Sequence, residues 1–267
     1  MHDQLPKYAR RLDALHQALE DDFRNIVRKV NVEPGQIALD VGCGDGFFTG
    51  LLAENGGHVI GLDNSEAFLR QASATAGGRN IEFVKGDVRK LPNENASVDV
   101  IWSAHSMHSY PNIQQCLREF HRVLRPGGLL AILESDNVHS VMLSWPPDLE
   151  LAVRQAEHRQ IGDEDSYIGT YFPRFATRLL TEQGFEVFTP EYFLFRRLGP
   201  AGESLTEFVT LYLQNLFERT SYYLSEKMRS RLAVLADSNS DKFLPRQKTF
   251  FFGSLQVLML ARVSHGT

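Results

Sequence analysis

The stretch Leu39-Asp-Val-Gly-Cys-Gly-Asp-Gly-Phe-Phe-Thr49 places glycines at 42, 44 and 46 directly after a short apolar run and directly before residues that open a helix. Three absent side chains leave bare backbone at a strand-to-helix turn, so a ligand can lie against the peptide groups there. A dinucleotide-binding turn has the spacing G-x-G-x-x-G, whose third glycine lets helix and strand pack closely. Phe47 stands at that third position here. Asp40, just ahead of the glycines, adds a carboxylate that repels a pyrophosphate and favours an amino group or a sulfonium.

Outward from this turn, strands and helices alternate. Upstream, apolar residues from Leu12 to Val30 recur at helical spacing, which predicts an amphipathic helix stopped by Pro34 and Gly35. Ile37 to Val41 is the first strand and Phe47 to Ala53 the first helix of the repeating pattern. His58 to Leu62 follows as a second strand, with Ser65 as the N-cap of a helix reaching Thr75. Ile81 to Val84 and Val98 to Trp102 read as the third and fourth strands. Ile113 to Leu124 reads as a helix terminated by Pro126, Gly127 and Gly128, and Leu129 to Leu133 as a fifth strand. Strands alternating with helices at this pitch make βαβ units.

Beyond Glu134 the rhythm breaks. Residues 135–174 read as an inserted cap, with Trp145, Pro146 and Pro147 ahead of a charged helical stretch from Asp148 to Gln160. Phe175 to Gln183 is then a helix stopped by Gly184, Phe185 to Phe188 a strand, residues 203–237 one or two helices, and Ser254 to Val263 the last strand. The expected fold class is α/β: a Rossmann-like, doubly wound, mostly parallel seven-stranded sheet with its last strand antiparallel, plus helical cap insertions. A single domain is expected, with residues 1–134 carrying the N-terminal helix and the binding core. Residues 175–267 supply the rest of the sheet and a helical insertion at about 203–248.

Ligands of open α/β sheets bind outside the carboxyl ends of the strands. Asp63 closes the second strand, 23 residues after Asp40, where a carboxylate accepts hydrogen bonds from ribose hydroxyls. Gly86-Asp87-Val88 follows the third strand, and an Asp there can accept from an exocyclic adenine amine while the next backbone N–H donates to a ring nitrogen. Standing alone, Asp63 reads as a helix N-cap and Asp87 as a turn residue. In register with the glycine turn, the ligand readings take precedence. Cys43, between two glycines with no activating base placed beside it, contributes backbone only.

Five segments in this order, LDVGCGDG, GLDNS, VKGDVRKLP, VDVIWSAHSMH and FHRVLRPGGLLAILE, resemble the class I S-adenosylmethionine-dependent methyltransferases, especially those acting on small molecules, over about residues 36–134. The resemblance implies S-adenosylmethionine as cofactor. Asp40, Gly42 and Gly44, with the Cys43 backbone, would surround its methionine part, Asp63 the ribose with Asn64 beside the adenine, and Asp87 and Val88 the adenine edge. Ser103 and Ala104 at the end of the fourth strand, and His108 after it, would line the methionyl moiety. His105 is the candidate general base if the acceptor is a hydroxyl or thiol; an amine or carbon acceptor needs none.

Composition narrows the alternatives. A net charge of −5 and a pI of about 6.0 give no bulk attraction to nucleic acid or anionic membrane. No N-terminal apolar run or spanning segment is present, so a cytoplasmic protein is expected, as a monomer or homodimer. Cys43 and Cys116 have no metal-ligand spacing around them and read as reduced thiols. Competing readings are a protein or RNA methyltransferase, a non-catalytic cofactor-binding module and a nicotinamide-dependent oxidoreductase. Ser103-Ala-His-Ser106 lacks the Asn/Asp-Pro-Pro-aromatic pattern of nucleobase and glutamine methyltransferases, and Phe47 disfavours the oxidoreductase. The aromatics Trp145, Tyr167, Tyr171, Phe172, Tyr192, Phe193, Phe195, Tyr212, Tyr222 and Tyr223 are expected mostly in the core, Arg196 and Arg197 on a solvated edge, and Tyr8 as either a lid or a packing residue.

Overall fold

A computed structural model of the chain describes residues 4–77, 80–136, 140–160 and 168–264. Five strands form a parallel block: β1 (Ile37–Val41), β2 (His58–Asp63), β3 (Ile81–Lys85), β4 (Val98–Ala104) and β5 (Leu124–Glu134). Their spatial order is β3-β2-β1-β4-β5, and β9 (Phe251–Val263) lies antiparallel against β5. β9 is long enough to hold two neighbours on each edge. β5 and β6 (Val141–Leu143) share one edge, while β7 (Phe185–Val187) and β8 (Glu191–Leu198) pair with β9 besides. The sheet thus has nine strands, two more than the expected seven. The additions are β6, from the segment expected as a pure cap, and β8, whose Arg196 and Arg197 were expected beyond a strand.

Alternation along each strand divides the interior into two apolar layers. Ala38, Val100, Trp102, Ala131 and Leu133 face one side, under α1 (Ala9–Ala18), α2 (Glu20–Val27), α3 (Phe47–Leu52), α6 (Pro147–His158), α8 (Glu203–Thr220) and α9 (Glu226–Ala236). Leu39, Ile101, Leu130 and Ile132 face the other, under α5 (Ile113–Val123) and α7 (Phe172–Glu182). α5 shows the cause directly: Ile113, Cys116, Leu117, Phe120 and Val123 recur every three or four residues and are its buried set. α4 (Glu66–Thr75) begins at Ser65, whose Oγ accepts from the Phe68 N–H at 3.4 Å.

Two expected elements differ in detail. The single helix from Leu12 to Val30 is two helices broken at the fully buried Leu19 (φ −124°, ψ 20°). The freed Ala18 carbonyl accepts from Arg197 Nη2 at 3.2 Å, and the same guanidinium pairs with Asp22, so Arg197 is an internal brace while Arg196 is exposed. The second is Pro126-Gly127-Gly128, which lies within β5 as an irregularity: Val98 pairs with Leu124 but Val100 with Leu129. Of the aromatics, Trp145, Tyr171, Phe172, Phe195 and Tyr212 are core, whereas Tyr192 and Tyr222 are exposed and Tyr167 lies outside the described residues.

Candidate functional site

The crevice lies at the carboxyl ends of β1, β2 and β4. Gly42, Gly44 and Gly46 all adopt positive φ, at 73°, 52° and 81°. Their surroundings differ. A Cβ on Gly42 would meet Ser106 Oγ at 2.7 Å and the Tyr110 hydroxyl at 2.9 Å, and one on Gly46 would meet the Ala72 Cβ at 2.9 Å. Among the described residues, a Cβ on Gly44 would meet only the Leu12 Cδ2, at 4.0 Å. Gly42 and Gly46 are therefore bare for close packing, and Gly44 is bare toward open space under α1. The loop is fastened at its base, where the N–H groups of Gly42 and Cys43 both donate to the Leu62 carbonyl, at 2.8 and 3.1 Å.

Asp63 joins the glycine loop to the second strand. Its Oδ2 accepts from the Gly44 N–H at 3.0 Å and its Oδ1 from the Ser65 N–H at 2.8 Å. Each carboxylate oxygen keeps a further lone pair for another donor. Asp40 sits deeper: it is buried, its Oδ2 accepts from Thr49 Oγ1 at 2.6 Å, and burial raises its pKa to about 7. Cys43 is buried as well, and desolvation with the surrounding carboxylates holds its thiol far above the ordinary range, which leaves only its backbone for the loop's surface. Asn64 is exposed beside Asp63, and Val88 is half-buried against the second apolar layer. Asp87 is exposed and held by Arg89 Nη2 at 2.6 Å, a pair that, with the Arg89 N–H, keeps its pKa below the usual value. The structure brings Asp63 and the glycine loop into direct contact; Asp87 stands apart at the next strand end.

The β4 side carries Ser103, Ala104, His105 and His108. Ser103 and Ala104 are buried, and Ser103 Oγ is 3.0 Å from the Tyr110 hydroxyl, which donates to the Val41 carbonyl at 2.7 Å. His105 has φ 51°, an unusual conformation for a residue with a side chain, and its Nε2 is 2.7 Å from Gln256 Oε1. Gln256 in turn donates through its Nε2 to Ser254 Oγ at 2.9 Å, so His105 is the donor in its bond to Gln256 and its Nδ1 is the free acceptor. Burial lowers the His105 pKa to about 4, which makes it a neutral but weak base. His108 stands on the exposed rim, where crowding by neighbouring atoms and the Arg11 guanidinium lower its pKa.

Tyr8, expected as a lid or a packing residue, and several residues that no sequence pattern singled out complete the site. Glu134, at the carboxyl end of β5, is buried and its Oε1 accepts from the N–H groups of Ser106 and Met107, both at 2.7 Å. Burial raises its pKa to about 7 although those bonds oppose the shift. A lone acid ending the apolar run LLAILE was the available signal. α1 covers the loop from above: Leu12 lies over Gly44, Tyr8 is near enough to Asp63 for that charge to join burial in raising its pKa, and its ring is 5.9 Å from Phe68. His16 stacks on Phe47 at 4.1 Å with its Nδ1 3.5 Å from Asp45 Oδ2. Burial pushes Asp45 up, but His16 and the Phe47 N–H more than offset it, and the Asp45 pKa is lowered. Among the described residues, no His, Cys, Asp and Glu cluster suits a metal ion, and no helix is long and apolar enough to cross a membrane.

With this geometry in view, residues 39–132 match the family model described as a methyltransferase domain. Demethylmenaquinone methyltransferase of Staphylococcus epidermidis is 33% identical over 144 residues, covering 51% of this chain and 60% of the relative. The chain thus spans less than two thirds of that relative's length. Among solved structures, a Bacillus halodurans protein proposed to be a methyltransferase superposes with a TM-score of 0.59 at 18% identity, covering 91% of this chain and 99% of its own. An S-adenosylmethionine-dependent methyltransferase from Mesorhizobium loti does so with a TM-score of 0.52 at 20% identity, covering 89% and 96%. At such identities the structural likeness speaks for the fold.

Proposed function

We propose, from the methyltransferase-domain match over residues 39–132 and the similarity to the relative above, that the chain is a class I S-adenosylmethionine-dependent methyltransferase that transfers a methyl group directly to a small-molecule acceptor. The observation that carries this reading is Gly44: its N–H is held by Asp63, and its missing side chain opens on space where, among the described residues, Leu12 alone comes within 4.0 Å of where a Cβ would stand. In the proposed complex Gly42, Gly44 and the Cys43 backbone surround the methionine part of the cofactor, with the Asp40 carboxyl group beside them. Asp63 accepts from the ribose hydroxyls, Asn64, Asp87 and Val88 border the adenine, and Ser103, Ala104 and His108 line the methionyl side. The net charge of −5 supports a small-molecule partner over nucleic acid, and the working setting is the cytoplasm, as monomer or homodimer.

S-adenosylmethionine, when bound, supplies a methyl group on a positively charged sulfur that leaves as a thioether. The chain's own part is alignment and exclusion of water. α1 closes over the loop with Leu12 and Tyr8, and the Glu134 carboxylate fixes the backbone of Ser106 and Met107, hence the wall that follows β4. His105, the proposed catalytic residue, offers Nδ1 to orient an acceptor hydrogen. With a pKa of about 4 it positions an acceptor better than it deprotonates an ordinary hydroxyl.

The test is calorimetry with S-adenosylhomocysteine. Wild-type protein should bind it, and Asp63→Ala should bind at least tenfold more weakly, a loss of about 1.4 kcal/mol. Because Asp63 also holds the N–H groups of Gly44 and Ser65, Asp63→Asn, which keeps one acceptor oxygen, should restore part of the fold stability and only part of the affinity. Equal affinity in all three proteins, or binding of NADH in preference, rules the reading out.

A further inference from the structure

Arg11 sits on α1 one residue before Leu12, the side chain that covers Gly44, and its guanidinium is near enough to His108 to disfavour that ring's protonation. It is half-buried, and its pKa is lowered by that burial and by the neighbouring charge of Arg219. Among the described residues it forms no ion pair. Its bond is to a neutral oxygen, Asn215 Oδ1 at 2.9 Å, which also accepts from Arg219 Nε at 3.1 Å.

The arginines around it are served differently. Glu157 is buried, and it spends Oε2 on Arg154 at 2.8 Å and Oε1 on Arg219 at 2.8 Å. Glu150 lies 3.7 Å from Arg154. Among the described residues, two carboxylates thus answer three guanidiniums, and the one without a carboxylate partner is on the helix that covers Gly44. A partly desolvated charge without a counter-ion is costly, so a ligand that supplies the partner gains by binding there. Resting on the methyl-transfer reading above, we propose that Arg11 is a specificity-determining residue that binds a carboxylate on the methyl acceptor, so that the natural acceptor is a small carboxylic acid. A single excess positive charge matches a monoanion, and the guanidinium fork presents four N–H groups beyond the one engaged by Asn215, enough for both carboxylate oxygens.

The experiment uses the full chain saturated with S-adenosylhomocysteine, titrated with matched pairs: benzoate and benzamide, phenylacetate and phenylacetamide, hexanoate and hexanamide. Wild type should bind at least one acid tenfold or more tightly than its amide. Arg11→Gln should abolish that preference, Arg11→Lys should retain part of it, and both should bind S-adenosylhomocysteine within about threefold of wild type. Arg11→Gln should also melt no lower than wild type without ligands, because it removes an unpaired charge; a merely structural arginine would lower the melting temperature. Absent preference in wild type, or a preference that survives in Arg11→Gln, overturns the proposal while leaving methyl transfer standing. Failure of wild type to bind S-adenosylhomocysteine overturns both.

Discussion

At the residue scale, the three glycines of one motif have separate duties, and alanine tells them apart. Gly42→Ala drives a Cβ into Ser106 and Tyr110 at positive φ, so it should destabilise the fold by about 2–4 kcal/mol, the sum of overpacking and left-handed strain. Gly44→Ala has the strain alone, about 1 kcal/mol, but puts a methyl into the open space. It should fold and bind S-adenosylhomocysteine at least tenfold more weakly; thermal melts beside calorimetry separate the two, and a fully active Gly44→Ala would argue against a ligand there. Glu134 carries a pH signature. Its carboxyl titrates near 7 in the fold and near 4 when unfolded, so between about pH 4 and pH 7 the native state holds a proton that the unfolded chain has released. The stability tied to that proton is full below about pH 4 and is lost as pH rises through about 7. His105, depressed to about 4, acts in the opposite sense: its contribution is present above about pH 6.5 and lost as pH falls through 4. The difference between wild type and Glu134→Gln isolates one term. Gln keeps the carbonyl acceptor for Ser106 and Met107 and should gain on wild type by on the order of 3 kcal/mol from pH 5 to pH 8. A flat difference curve counts against the buried titration. The glycines and Asp63 were legible because backbone freedom and strand-end position are local properties. Glu134 and Gln256 were not, because their partners lie 27 and 151 residues away and nothing local marks the pairing.

At the element scale, the parallel strands were readable as short apolar runs, because β1 and β4 are buried on both faces and tolerate few polar residues. β8 was missed for the complementary reason. Its exposed Tyr192, Leu194 and Leu198 break the apolar-in, polar-out alternation that announces a half-buried strand. The break at Leu19 was equally hidden, since apolar periodicity runs through it and the group that satisfies the freed Ala18 carbonyl, Arg197, comes from 179 residues away. That break makes α1 a separable element. α1 is tied to α8 by Arg10 with Glu207, Arg11 with Asn215 and, at 3.3 Å, Gln17 with Ser204, while its other side rests on the glycine loop through Leu12 and His16. A short helix at the edge of the apolar layer, seated through Ala14 and Leu15 and tied on its outer side by polar contacts, opens more readily than the sheet beneath. Amides of residues 9–18 should therefore exchange faster than those of β4 in the free protein and slow at least tenfold when S-adenosylhomocysteine binds. Unchanged exchange in α1 would show that it is a fixed support and not a cover.

At the scale of the whole molecule, the N-terminal helix α1 and the later helices α6 and α8 are joined by charge as well as by apolar packing. Residues 11, 154, 157, 215 and 219 meet in one network although the first and last are separated by most of the chain. Composition reports only a mild acidic excess, so a local positive excess of this kind is invisible before the fold assembles it. Glu157 is the hinge of the arrangement. Glu157→Gln would leave Arg154 and Arg219 without their shared counter-ion and should cost about 2–4 kcal/mol, less than a fully buried pair because the Arg219 side chain is 42% exposed. Calorimetry should register this as a melting temperature lower by several degrees, at about 2–4 °C per kcal/mol for a domain of this size. Arg11 then supplies an internal control. If its charge belongs to the same electrostatic unit, Arg11→Gln should help the protein more in the Glu157→Gln background than in wild type, by about 0.5–1 kcal/mol, because it relieves repulsion that has grown. Strict additivity in that double-mutant cycle would detach Arg11 from Arg219 and Glu157, and its excess charge would then have to be explained without them.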